Sequence, residues 1–153
     1  MTAVGAATRV HRRLIDSLYT EAMLLADEAR GYFDEVGREQ RDMLGAMDRV
    51  VFSCESLKVT TRLMHVIAWL LTQRAVAAGE IAEREARDPS RRLGEAPMTE
   101  DAALNAMPVA AQHLIGASID LYRRVARLDA SQEEMVPVAS PARSMLDRLA
   151  HAF

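Results

Sequence analysis

Four histidines (His11, His65, His113 and His151) and one cysteine (Cys54) are the side chains best suited to nucleophilic, acid–base or metal chemistry in this 153-residue chain. Each would need a partner at a defined spacing. Helical metal sites pair their ligands at i, i+3 or i, i+4. Only Asp147 with His151 has that spacing, close to the chain end, so no metal or other cofactor is expected. Cys54 stands between Ser53 and Glu55 with no histidine near in sequence to activate it, which reads as a structural cysteine rather than a nucleophile. A lone cysteine also cannot close an internal disulfide, as suits a reducing cytosol.

One short motif touches phosphoryl chemistry. In "HLIGAS", residues 113 to 118, a helical histidine is followed by a glycine. Histidine phosphotransfer domains place a lysine and a glycine three and four residues after the phosphorylated histidine. Here Gly116 comes at the third position and no basic residue follows closely. A helix histidine at the bundle surface is the better reading, and phosphotransfer through His113 stays as the weaker alternative. The pairs Arg91–Arg92 and Arg123–Arg124 have acidic residues nearby and no recognition-helix pattern, so they read as solvated faces, not nucleic-acid contacts. The residues favoured for binding chemistry are Arg62, His65 and Trp69, which share one helical stripe, because Arg and aromatic side chains concentrate interface energy. Glu55 and Lys58 join them as an expected exposed charged pair. No set of polar groups converges as catalysis requires, and a binding protein, not an enzyme, is expected.

These residues need helices to position them. Half of the composition is hydrophobic but aromatics are few, and Ala, Leu, Val and Met suit helices better than sheets. The net charge of −3 argues against general binding to nucleic acid or membrane surfaces. Every basic residue except Lys58 is arginine. The opening residues read as no signal peptide, so none is expected, and the apolar run near Leu63 to Leu71 is far short of the ~20 residues that span a bilayer. A soluble, cytoplasmic protein is expected.

The apolar spacing predicts a first helix over 10–36, stopped by Gly37, with a short turn in "REQRDML". A second helix should run from an N-cap at Asp48 to about Ala86, and a third from about Asn105 to Leu128, tolerating Pro108 in its first turn. Between them "RDPSRRLGEAPMTED", residues 87–101, reads as a loop crossing solvent. The expected architecture is all-α: a three-helix antiparallel bundle over 1–129 with a long central helix. A flexible tail follows over 130–153, in which Ser140–Pro141 signals a short helix. The second helix has hardly any polar face. A helix apolar all round must be buried all round, which predicts a homodimer through the small residues Thr61, Ala68, Thr72, Ala75 and Gly79 or through the Arg62/His65/Trp69 stripe. The alternative is that the loop or tail folds back over it.

The run "RVVFSCESLKVTTRLMHVIAWLLTQRAVAAGEI", Arg49 to Ile81, is similar to the signature of the alphaproteobacterial family of regulators of CtrA degradation (RcdA). The preceding "YFDEVGREQR" and the later "RRLGE" resemble it in kind and order. The resemblance spans roughly residues 10 to 128. It implies a dimeric three-helix bundle and a non-enzymatic role as a proteolytic adaptor for the ClpXP protease. In that family the protease is primed by a response regulator, CpdR, and cell-cycle cargo arrives directly or through a second adaptor, PopA. The alternative is a dimeric helical binding module in signalling.

Overall fold

The computed structural model describes residues 3–134 and 141–152. Three long helices share one core: α1 (Ala3–Gly31), α3 (Ala46–Ala77) and α6 (Val109–Glu134). Among the described residues there is no strand. Each helix sends a row of residues inward at steps of three, four or seven. The row runs through Ile15, Leu18, Ala22, Leu25 and Ala29 on α1, through Phe52, Val59, Leu63, Val66 and Leu70 on α3, and through Ala111, Leu114, Leu121 and Val125 on α6. That spacing is the one that lets helices pack along their length with small crossing angles.

α1 does not stop at Gly37. It passes through a π-helical turn, Tyr32–Val36, into α2 (Gly37–Asp42). The widened turn lets two consecutive residues, Tyr32 and Phe33, both face inward, where they meet Phe52 with ring centroids 6.2 and 5.3 Å away. Gly37 is needed for clearance. A Cβ there would lie 2.8 Å from the Tyr32 carbonyl oxygen and 3.0 Å from its ring.

α3 begins one turn earlier than expected, with Gly45 rather than Asp48 at its N-cap, and ends at Ala77 rather than near Ala86. The stop is a Schellman motif. Gly79, at φ +75°, donates to the Val76 carbonyl, and the Glu80 amide donates to the Ala75 carbonyl. α1 and α3 run antiparallel. Near the start of α1, Arg12 donates to the Ala77 carbonyl at 3.1 Å and the Arg74 guanidinium lies 4.5 Å from the Tyr19 ring centroid.

α3 and α6, however, run parallel, which corrects the expected antiparallel bundle. Arg62 meets Ser118, Trp69 meets Asp129 and Gln73 meets Gln132, so residue numbers rise together along the pair. A parallel pair needs a long return. It is supplied by α4 (Glu83–Ala86), a 3₁₀ turn (Pro89–Arg91), an irregular strap over 92–100 and α5 (Asp101–Asn105). The strap does not cross solvent as its charge and prolines suggested. It lies along the seam between α3 and α6, with Leu93 packed on the core. Pro108 immediately precedes α6, and its carbonyl accepts from the Gln112 amide at 2.9 Å.

The proposed tail boundary at 130 falls inside α6, which continues to Glu134. Pro141–Ala152 forms α7, an amphipathic helix that leaves Met145, Leu146 and Leu149 exposed. Ser140, expected to cap it, and the preceding linker lie outside the described residues.

Candidate partner-binding surfaces

The five side chains expected to meet a partner, Glu55, Lys58, Arg62, His65 and Trp69, share one side of α3, and the strap covers that side. Glu55 and Arg62 are only 1% and 2% exposed. The structure thus corrects the expectation of an exposed Glu55–Lys58 pair, because the ion pair forms at the edge of the strap with its carboxylate inside. Lys58 is partly exposed and donates to Glu55 Oε1 at 2.9 Å, while the carboxylate itself is interior. Its other oxygen accepts from the Thr99 hydroxyl at 2.6 Å. Arg62 donates to Thr99 Oγ1 at 2.6 Å, to the Pro97 carbonyl at 2.9 Å and to Ser118 Oγ at 3.3 Å. Burial lowers the Arg62 pKa and the nearby Glu55 carboxylate opposes that shift. Thr99 thus bridges two buried charges of opposite sign, a satisfied arrangement that an isolated buried ion could not adopt.

Trp69 is buried, and its indole N–H donates to Asp129 Oδ1 at 2.9 Å. Arg92 of the strap grips the same carboxylate with two bonds, from Nε at 2.8 Å and from its terminal nitrogen at 3.0 Å, and reaches Glu133 at 3.2 Å. Those carboxylates raise the Arg92 pKa further. His65 is partly exposed beside Gly94, where a Cβ would fall 2.3 Å from the imidazole Nδ1. Tyr122, on α6, donates its hydroxyl to the Gly94 carbonyl at 2.6 Å, and burial raises its pKa.

Among the described residues, the side of α3 that faces away from the core is left open. Val50, Leu57, Met64 and Leu71 recur at every seventh residue, and all four are exposed, Leu57 and Met64 by 69% and 65%. Between them, again seven apart, stand the small residues Cys54, Thr61, Ala68 and Ala75. No charged residue interrupts this stripe, which Met47 extends toward the α2 corner.

The remaining chemistry is scattered. His113 is exposed on α6, and His151 Nδ1 lies 2.7 Å from the backbone carbonyl of Asp147, not from its carboxylate. Among the described residues no group of three His, Cys, Asp or Glu side chains is placed to hold a metal ion, and no helix is long and apolar enough to cross a membrane. A cleft of about 220 Å³ lined by His11, Arg12, Ile15, Asp16, Gln73 and Arg74 is small for a ligand site.

A family model described as "protein of unknown function (DUF1465)" matches residues 6–153. The chain belongs to that family. Among solved structures it is similar to RcdA from Caulobacter crescentus CB15, with 34% sequence identity, a TM-score of 0.63, and coverage of 78% of this chain and 90% of that one. No curated protein matches it. The likeness to RcdA agrees with the resemblance carried by the α3 sequence, and it makes this chain an RcdA-like member of the family.

Proposed function

We propose that this chain is a non-enzymatic adaptor that helps deliver cell-cycle regulatory proteins to the ClpXP protease in the cytoplasm. The observation that carries the reading is the 34% identity to RcdA across most of both chains, together with what the RcdA resemblance implies about proteolytic adaptors. The mechanism is tethering. One surface engages protease primed by a response regulator, another engages cargo or a second adaptor, and the cargo's effective concentration at the unfoldase rises without covalent chemistry.

The working form in this proposal is a homodimer built on the back of α3. Large and small residues alternate along the exposed stripe, so two copies packed antiparallel can seat each large side chain over a small one. Leu57 meets the partner's Ala68, Met64 meets the partner's Thr61, Leu71 meets the partner's Cys54 and Val50 meets the partner's Ala75. Such an uncharged apolar seam is the composition that stable homodimer interfaces require. The Arg62/His65/Trp69 side is not the dimer face in this reading, because the strap already occupies it. Of the five side chains expected at a partner surface, Lys58 and His65 remain open to contact, and Glu55, Arg62 and Trp69 act through the order they impose on the strap.

The test is a proteome-wide pulse-chase in cells with and without the protein. A small set of proteins should be stabilised on its depletion, and stabilised equally when ClpX is depleted. Half-lives unchanged through the cell cycle would sink the adaptor reading.

A further inference from the structure

The strap is bound like a ligand. From Leu93 to Thr99 its backbone takes part in no backbone–backbone hydrogen bond among the described residues. Its polar ties run to side chains of α3 and α6: Tyr122 to the Gly94 carbonyl, Arg62 to the Pro97 carbonyl, and Glu55 and Arg62 to the Thr99 hydroxyl. The buried groups beneath make little sense as packing. Replacing a buried ion pair with apolar residues is often neutral or stabilising, and α3 and α6 already share an apolar core. Glu55, Arg62 and Ser118 find use in holding an extended chain laid over them.

We propose that the seam between α3 and α6 is a binding groove for an extended peptide, and that residues 92–100 are its built-in occupant. When the strap lifts, the groove takes an unstructured segment of a partner protein that offers the same features. Those features can be read from the contacts. An arginine pairs with Asp129, and two residues later a glycine passes under His65, since any side chain there meets the ring. A carbonyl three residues beyond the glycine faces Arg62, and a Ser or Thr hydroxyl two further on sits between Glu55 and Arg62. Two of the four contacts are to backbone, so the groove reads an extended conformation and a sparse pattern, Arg-x-Gly-x-x-x-x-Ser/Thr, rather than a full sequence. While the strap is seated, its attachment to the same chain gives it a high effective concentration, and a free peptide does not compete. The inference stands on these contacts and does not depend on the adaptor reading.

The experiment changes only the strap and leaves the groove as it is. The full chain carrying Arg92→Ala, Gly94→Leu and Thr99→Val is titrated with a fluorescein-labelled synthetic peptide of residues 91–101. Anisotropy reports binding, and the fluorescence of Trp69, the single tryptophan, reports the groove. The peptide should bind the strap-altered protein at least about tenfold more tightly than the wild type. A peptide with leucine and valine at the glycine and threonine positions should bind roughly ten- to a hundredfold more weakly, because it removes hydrogen bonds to charged groups. Absence of binding to a variant with wild-type helical circular dichroism overturns the proposal. So does equal binding of the two peptides, or binding to wild type as tight as to the variant. The single variant Gly94→Leu is measured in parallel, and loss of helicity in both proteins also overturns the proposal, since the strap is then a part of the fold rather than its ligand.

Discussion

Replacing Arg62 with alanine should be among the most damaging single changes in this molecule. The guanidinium is 2% exposed and bonds Pro97, Thr99 and Ser118. Its removal leaves the Pro97 carbonyl without that donor and leaves Glu55, itself 1% exposed, with only Lys58 and Thr99 against its charge. Breaking a buried charge network by deleting one member costs about 3–5 kcal/mol. The total stability of a domain is about 5–15 kcal/mol. At this chain length each kcal/mol moves the melting temperature by roughly 2–4 °C, so Arg62→Ala should melt roughly 6–20 °C below the wild type. Urea unfolding followed by far-ultraviolet circular dichroism gives the free energy directly. The double variant Glu55→Gln, Arg62→Ala should recover part of the loss, because it also removes the stranded carboxylate, with a coupling of about 0.5–3 kcal/mol. A loss below about 1 kcal/mol, the range of exposed ion pairs, would refute the reasoning. The strap would then be loosely laid over a solvated arginine.

Four further outcomes follow from the same contacts. With Leu71→Cys in the chain, mild oxidation should cross-link dimers through the partner's Cys54, while the wild type, with Cys54 alone, should not; a Leu57→Glu variant should elute at the 16.9 kDa of one chain, and a wild-type monomer at micromolar concentration in analytical ultracentrifugation would remove the dimer proposal. Asp129→Ala should cost about 1–3 kcal/mol in urea unfolding, because it orphans the Trp69 indole N–H and leaves the Arg92 side chain with Glu133 as its remaining carboxylate. Gly37→Ala should cost about 1–3 kcal/mol in the same measurement, since the new Cβ meets the Tyr32 carbonyl at 2.8 Å. Alkaline pH should loosen the fold. Burial raises the Tyr122 and Tyr32 pKa values above that of an unfolded tyrosine, so their contribution is complete below about pH 10 and is lost as pH rises through the folded values. In urea titrations across that range, Tyr122→Phe should flatten part of the decline, and an identical decline in the variant would count against Tyr122 as its source.

The helices were legible because their apolar residues recur at helical spacing, but their limits were not. Leu14 and Val36 fit the first helix's stripe on paper, yet the structure leaves both exposed, burying Ile15 beside the one and Phe33 before the other. The inward row follows steps of three and four, and a step of four from Leu14 to Leu18 is met equally well by the step of three from Ile15. Gly37 looked like a stop because glycine often ends helices, whereas here close approach to Tyr32 demands it. Gly79 was read into a stripe of small residues although it is the helix terminator, and its positive φ has no signal beyond the residue type itself. The strap was the largest miss. Prolines, a glycine and dense charge mark solvent-exposed loops in general, and nothing local to residues 87–101 says that Arg92 and Thr99 will find buried partners on helices more than thirty positions away.

The question of what surrounds α3 separates into three parts, and the sequence contained a clue to each. One side meets α1 and α6 through Phe52, Val59, Leu63, Val66 and Leu70, and those residues are apolar as core positions must be. The next side carries Glu55, Lys58, Arg62, His65 and Trp69, which looked like a partner stripe, and in the structure the chain's own strap lies over it. The third side carries large apolar and small uncharged residues in alternation, opposite the core and uncovered among the described residues. A monomer that kept such a stripe would expose a continuous apolar seam along most of a 32-residue helix, a patch of the kind that drives association. Polar residues at Leu57 or Met64 would cost the monomer nothing, because neither side chain touches its core. The homodimer proposed above accounts for their apolar character, because the self-complementary order of large and small residues is what a second copy of this chain would match.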